Sequence, residues 1–397
     1  MRRWAWPAVV ALLVAAGAGV WWLMRQDLRL AVYAGALLLA VTMAGAVVAW
    51  VRGHRGWSAA MAALVIGVLG AGAAYGWSLN STLEKIPRID DSVLSQGERP
   101  DKEPSTALNI LLLGSDNPTP KVDKPTVAEL LADGTWDPGA YRSDSIILLH
   151  LSADRKHASM VSIPRDSYVT IYDDKGNPHE DNKINAAFSY YGPFGTLRTV
   201  ENLTGLRIDH LAMIDFEGFR DVTTALGGVD VYVAQTFTDP NNHYTWEQGW
   251  HHLEGQDALR YVRTRYGLQQ GDFDRVRRQQ NFLRALLTKL TDDGTIGDPA
   301  TLKATIEAVV PYLTVDSAWS TGDLRSLALD LRHLKPSRIT YATVPLDHYE
   351  TIDGVGAANI IDETRVDELF TAVQDERLPA YLKKYPEDGL GAAEEVR

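Results

Sequence analysis

Apolar residues dominate the first 77 positions, in three runs at 7–24, 30–51 and 57–77, and then give way to short apolar stretches set between polar segments. Each long run is near the roughly 20 residues that cross a bilayer. Trp4, Trp6, Trp21, Trp22, Trp50, Trp57 and Trp77 gather at the run ends, as interface anchors do. The first run is the shortest and has the look of a signal peptide, but two more follow and no clear small-residue cleavage site precedes Arg25. The pattern predicts three transmembrane helices within residues 1–79. Arg2, Arg3, Arg52 and Arg55 outweigh Arg25 and Arg29, which Asp27 offsets. That bias predicts a cytoplasmic N-terminus and places the chain after residue 78 outside the cytoplasm.

Residues 80–105 are polar, with Pro and Gly, and read as a tether with room for a short helix. From "ALNILLLGSD" onward, short apolar runs alternate with amphipathic ones. "NILLL", "SIILLHLS", "ASMVSIP", "IDHLAMIDF", "VDVYVAQ" and "RITYATVPL" read as strands. "INAAFSYYG", "FGTLRTVENLTG", "EGFRDVTTALGG", "TLKATIEAVVPYL", "TGDLRSLALDLRHL" and "ETRVDELFTAV" read as helices, several stopped by glycine. This alternation predicts an α/β domain over 106–380, a mostly mixed central sheet layered between helices, with a loose tail at 381–397. The excursion 118–140 carries turn signals and room for a short helix, and long connections of this kind are often functional.

Composition narrows the chemistry. A chain of 397 residues, 45% hydrophobic, can bury a large core. The absence of cysteine excludes disulfides, thiolate nucleophiles and Cys-based zinc sites. A formal net charge of −12 argues against nucleic acid as a partner. No G-x-x-x-x-G-K-[ST] loop and no G-x-S-x-G elbow is present. The neighbours His251 and His252 would face opposite ways on a strand, which disfavours a metal pair.

Against the acidic background, "YVRTRYGLQQGDFDRVRRQQ" (261–280) holds five arginines and no lysine. A solvated charged face and an anion site both fit that run. The guanidinium fork suits phosphate in a way that lysine does not. "ALRYVRTR" has strand character, which would put Arg263 and Arg265 on one face. Helical spacing from Phe273 makes Phe273, Val276, Leu283 and Leu287 a core stripe flanked by Arg275 and Gln279. Arg278 lies further out, and Asp274, Arg277 and Arg284 fall on the opposite, solvated side. Asp272 is placed as a helix cap, an arginine-orienting group or a base.

Asp116 follows the strand "NILLLGS", where α/β sheets open a crevice, and Asp144 begins "SIILLHL". If those strands pair, the two carboxylates meet at one rim and suit Mg²⁺, which prefers oxygen; a turn residue and a surface charge are the plainer alternative. Arg142 and Arg165 add cations at strand ends, and Asp166 is positioned to pair with Arg165.

"LNILLLGSD", "YRSDSIILLHLS", "VSIPRDSYV", "KINAAFSYYG", "IDHLAMIDFEGF", "LEGQDALRYVRTR" and "GDFDRVRRQQ" together resemble, in order, the LytR–CpsA–Psr family of bacterial cell-envelope proteins. The resemblance implies a membrane-anchored transferase that moves a glycopolymer, such as a teichoic acid, from a polyprenyl-pyrophosphate carrier to peptidoglycan. It carries Asp116 and Asp144 over as ligands of Mg²⁺, with Mn²⁺ as the alternative ion. It carries Arg142, Arg165, Arg263, Arg265, Arg275 and Arg278 over as pyrophosphate contacts, with Asp272, Gln279 and Lys183 in matched motifs. One departure stands out: Asn117-Pro118-Thr119 follow the first aspartate where many members place an arginine. Two other readings fit the same residues: a pyrophosphatase that passes the phosphoryl group to water, and a non-catalytic lipid-binding or regulatory module.

Overall fold

The computed structural model describes residues 28–102, 105–116, 127–240, 243–264, 272–292, 299–331 and 334–396; the first apolar run, the loop after Asp116 and Arg265 lie outside them. Contacts divide the chain into two units, one holding Met1–Thr82 and Gly294–Lys303, the other Leu83–Asp293 and Ala304–Arg397.

In the first unit, α1 (Leu28–Val51) and α2 (Arg55–Leu83) are joined by a tight turn in which Gly53 adopts φ +78°. Among the described residues one helix, Ser58–Leu83, is long and apolar enough to cross a membrane. The helix α1 is 24 residues long and carries the second apolar run, 30–51. Of the three expected spans, the first lies outside the described residues, and one is a candidate span among them.

The second unit is built on a mixed sheet. Its elements, in chain order, are β1 (Arg88–Ile89), β2 (Leu108–Asp116), α3 (Val127–Ala132), β3 (Arg142–Leu151), β4 (Ala158–Ile163), β5 (Ser167–Tyr172), β6 (Pro178–Lys183), α4 (Asn185–Thr204), β7 (His210–Asp215), α5 (Phe216–Ala225), β8 (Val229–Val233), β9 (Phe237–Asp239), β10 (Tyr244–Trp246), β11 (Gly249–Leu253), α6 (Gly255–Arg263), α7 (Asp272–Asp292), α8 (Pro299–Val309), β12 (Leu313–Asp316), α9 (Thr321–Leu331), β13 (Ile339–Thr343), β14 (Leu346–Ile352), β15 (Gly356–Ile361), α10 (Glu363–Gln374) and α11 (Leu378–Lys384). Seven strands pair in the order β1-β12-β7-β2-β3-β4-β13, and β14-β15-β5-β6 form a second sheet.

Alternation along β2 sends Leu111 and Leu113 to one face and Ile110 to the other. The first face packs under α4 and α10, through Phe188, Leu197, Val200, Leu369 and Phe370. The other face meets Trp319, Val310 and Leu334, and further along Leu283 and Leu287 of α7. Covering both faces is what near-continuous apolar strands require, and it yields the helix–sheet–helix layering. The α4 segment holds both helices read from the sequence. They meet at a kink where Gly192 takes φ 70° before Pro193, and Gly205 closes the second at φ 68°.

Three expectations are corrected. Residues 80–105 are not simply a tether: β1 extends the sheet beside β12, and the buried Arg99–Glu201 ion pair (2.7 Å) fastens the segment. The tail is not loose either, since Asp388 accepts from Arg365 Nη2 and Tyr381 Oη, both at 2.6 Å, and Val396 is buried. "ALRYVRTR" forms helix α6 up to Arg263, not a strand. Ala258, Leu259 and Val262 bury one helical face, and this packing overrides the β-propensity of Tyr261 and Val262.

Candidate active site

Strands β2 and β3 pair antiparallel from Leu108↔Leu151 to Gly114↔Ser145, then shift by one residue, so that Ser115 faces Ser143 and Asp116 faces Arg142. Asp144 is the residue left without a counterpart. A bulge of this kind bends the strand and re-aims a side chain. The Asp144 carboxylate, 10% exposed, forms an ion pair with Arg165, the residue after Pro164 at the end of β4. Arg165 Nε lies 3.5 Å from Asp166 Oδ2, and Lys183 Nζ lies 3.7 Å from Asp166 Oδ1. Asp144, Arg165, Asp166 and Lys183 therefore alternate in sign along one line.

The backbone fixes that line. Asn185 N donates to Arg165 O at 3.1 Å, Ile184 N to Ser167 O at 2.8 Å, and Asn359 N to Asp166 O at 2.9 Å. An incoming anion would compete with Asp144 for Arg165, and an incoming cation would compete with Arg165 for Asp144. Arg142 is exposed, and its Cα is opposite that of Asp116.

Helices α6 and α7 supply the arginines. Arg263 ends α6 and is exposed, whereas Arg275 in the first turns of α7 is buried. Arg278 is fully buried: Nη2 donates to Thr264 O, Nε reaches Asp274 O at 3.4 Å, and the guanidinium lies 5.0 Å from the Phe237 ring centre. Burial pulls its pKa down to about 10, which leaves it charged at neutral pH. Its place is therefore beneath the chain that leaves α6, holding Thr264, and not at an open rim where a ligand would meet it. Asp274, expected on a solvated side, is also buried. Arg277 and Arg284 are half-buried because the C-terminal segment covers them, through Glu387 O at 3.3 Å and Gly391 O at 2.8 Å. The side chains of Asp116 and Asp272, and all of Arg265, lie outside the described residues.

A cavity of about 270 Å³ lies between the sheet and α5–α7, in the interlayer space where an apolar pocket for a lipid tail is expected. Leu112, Gly114, Ile147, Ala212, Phe219, Val222, Val262, Phe282, Leu283 and Leu286 line it, with Ser145, Thr223 and Gln279 as its polar members. The space has a visible origin in three small residues on neighbouring strands, Gly114, Ser145 and Ala212. At Gly114 a Cβ would already stand 3.0 Å from that of Ser145. In the sequence these positions differ from ordinary core only by their size. Four candidates are close to the lining along the chain: Gly114 is two residues from Asp116, Ser145 follows Asp144, Val262 precedes Arg263, and Gln279 is one turn from Arg275. Gln279 itself donates to Val262 O at 3.3 Å, which joins α7 to α6 at the wall. Among the described residues no group of three or more metal-ligating side chains occurs.

Residues 80–375 match the model of the LytR_cpsA_psr family. The chain is 32% identical over 314 residues to the cell wall biosynthesis protein LcpA of Corynebacterium glutamicum, covering 71% of this chain and 58% of that protein. It therefore spans less than two thirds of that relative's length. It is 38% identical over 160 residues to the polyisoprenyl-teichoic acid–peptidoglycan teichoic acid transferase TagV of Bacillus subtilis, covering 39% of this chain and 40% of TagV. Among solved structures, TagT bound to LI-WTA superposes with a TM-score of 0.52 at 25% identity, covering 70% of this chain and 96% of TagT.

Proposed function

The chain belongs to the LytR_cpsA_psr family, and from that premise we propose that it is an extracytoplasmic phosphotransferase that moves a glycopolymer from a polyprenyl-pyrophosphate carrier to a hydroxyl of peptidoglycan. The observation that carries this reading is that the Asp144–Arg165–Asp166–Lys183 line adjoins the apolar cavity at Ser145, the residue after Asp144 in β3 and part of the cavity lining. A lipid pyrophosphate is a dense anion on an apolar chain, and both halves find a matching surface there. The TagV relationship supports the same substrate class, and the LcpA relationship a role in cell wall biosynthesis.

In this mechanism the cavity takes the first part of the lipid, and Arg165, Arg263 and Arg265 grip the pyrophosphate, with the buried Arg275 adding charge behind them and Arg142 and Lys183 at the margin. The acceptor hydroxyl oxygen forms a bond to the sugar-linked phosphorus, and the bridging P–O bond breaks. The electron pair leaves on polyprenyl phosphate, whose growing charge the arginines stabilise. The hydroxyl proton passes to the carboxylate of Asp166 or Asp272. The product is a phosphodiester.

Asp116 and Asp144 are hard oxygen donors on paired strand ends, and such a pair together with phosphate oxygens fits Mg²⁺ or Mn²⁺. When bound, the ion supplies charge neutralisation to the pyrophosphate. The multi-pass anchor and cytoplasmic N-terminus belong to this proposal too, with Ser58–Leu83 as the supporting helix.

The test is transfer by the purified full chain from a polyprenyl-pyrophosphate-linked oligosaccharide to peptidoglycan. Polymer covalently attached through phosphate, with polyprenyl phosphate released, is the expected result. Release of free sugar phosphate with nothing attached would make water the acceptor and the protein a pyrophosphatase.

A further inference from the structure

The outer face of the β8–β11 hairpin carries four side chains that the transfer chemistry does not use. The inward residues Val229, Val231, Val233 and Leu253 are buried in a core shared with Tyr261 and Phe282. The alternate residues point out, with Trp250 opposite Tyr232 and His252 opposite Asp230. Trp250 is 62% exposed, and its ring meets that of Tyr232 at 5.4 Å and 70°. His252 Nδ1 lies 2.8 Å from Asp230 Oδ1, and these side chains are 54% and 67% exposed. Gly228, at φ +73°, leaves the imidazole its place, since a Cβ there would stand 2.5 Å from His252 Nε2.

A cross-strand aromatic pair steadies a hairpin, but steadying it does not require an indole to stay in water. An open aromatic face beside a hydrogen-bonding pair matches a pyranose ring, whose C–H face is apolar and whose edge carries hydroxyls. The charge on this face selects further. Asp230 is an exposed carboxylate, and the chain as a whole carries −12, so a phosphate-rich polymer or an anionic lipid surface is disfavoured and an uncharged sugar is not. The hairpin is also firmly joined to the candidate arginines. α6 starts at Gly255, two residues after β11, and ends at Arg263, while Phe282 of α7 packs under the same strands.

We propose that the Trp250–Tyr232–His252–Asp230 face binds the glycan strand of peptidoglycan and brings the acceptor to the transferase. The idea rests on the reading of peptidoglycan as acceptor. The test is co-sedimentation of the full chain, in detergent micelles, with peptidoglycan sacculi stripped of attached polymer, alongside phosphatidylglycerol vesicles. Trp250→Ala and Tyr232→Ala are expected to weaken sacculus binding about tenfold each, the loss typical of a truncated aromatic anchor. Trp250→Phe should keep most of the binding. If a ring variant fails to fold, Asp230→Ala and His252→Ala carry the test, because they remove the hydroxyl partners and leave the ring pair intact. Unchanged sacculus binding by folded variants would overturn the proposal. So would a loss of vesicle binding with sacculus binding retained, which would make the face a membrane contact. Transfer by the wild-type chain, assayed separately, reports on the proposed function: a protein that binds sacculi through this face and hydrolyses its donor refutes the transferase reading alone.

Discussion

Asp144 occupies the bulge in β3 and is ion-paired with Arg165, which leaves the next strand two residues after its end. Under the proposed function Asp144 would hold the metal and Arg165 the pyrophosphate, and their ion pair would keep both in place beforehand. Asp144→Asn keeps the shape and removes the charge. It is expected to lower transfer by at least about a hundredfold, the effect of losing roughly 3 kcal/mol of transition-state stabilisation. Asp144→Ala should also unfold more easily, by up to about 3 kcal/mol, because Arg165 is then left without this partner. Chelation should abolish transfer by the wild type, and Mg²⁺ should restore it; Mg²⁺ should not restore Asp116→Ala. Full activity in the chelator would remove the metal from the proposal.

The cavity predicts a dependence on lipid length. Ala212 lines it from β7, so Ala212→Phe places a ring in space that is already empty. Filling a void costs little, and the change in stability should stay below about 1 kcal/mol. Donors with a long polyprenyl chain should lose affinity about tenfold or more, while a donor with a very short chain should be used as before. Kinetics with the two donors, run side by side, decide the matter. An equal loss for both would place the lipid elsewhere.

The fold was largely legible where a single strand or helix pattern was strong. β2, β3 and β4 follow directly from their apolar runs, and α4 ends at Gly205 as its glycine signal says. In the candidate site, Asp144 reads with Asp116 and Arg165 with Asp166; the structure pairs Asp144 with Arg165, and the one-residue shift that re-aims Asp144 leaves no trace in a pattern of apolar and polar letters. Arg278 was misplaced for a related reason. Helical phase gives the angle of a side chain, not the identity of what packs over it, and here Phe237 and Tyr261 close over the guanidinium from distant parts of the chain. The solvated face expected for Arg277 and Arg284 failed because a covering segment arrives from residues beyond 386.

That segment gives a prediction of its own. Asp388 is buried and accepts from both Arg365 and Tyr381, while Leu390 N donates to Tyr341 O at 3.3 Å. Asp388→Ala leaves Arg365 and the Tyr381 hydroxyl short of a partner. The expected loss is about 2–4 kcal/mol, read by denaturant unfolding. Removing residues 386–397 should destabilise the domain at least as much. A truncated protein as stable as the full chain would show that the tail merely rests on the surface.

The arginine-rich stretch 261–280 predicts three different outcomes for one substitution. Arg263 is exposed at the end of α6, so Arg263→Lys should leave unfolding unchanged. If it grips pyrophosphate with a bidentate fork, transfer should fall about tenfold, since lysine offers charge without the fork. Arg277 is half-buried under the C-terminal segment, where it donates to Glu387 O at 3.3 Å, and lysine keeps its charge and most of its reach; Arg277→Lys should change both stability and transfer little, within about 0.5 kcal/mol. Arg278 is the severe case, and by another route. Burial already lowers its pKa to about 10. Lysine starts roughly two to three units below arginine, so the same burial brings its ammonium close to neutrality at physiological pH. It also lacks the planar group that lies over Phe237 and Tyr261 and reaches Thr264 O. Arg278→Lys should therefore unfold at clearly lower temperature and lose transfer in proportion to the folded protein that remains. Each variant is to be assayed for thermal unfolding and, on the folded fraction, for transfer. A normal unfolding temperature with lost transfer in Arg278→Lys would return that arginine to the substrate. Normal transfer in Arg263→Lys would show that charge at the end of α6 suffices without the fork.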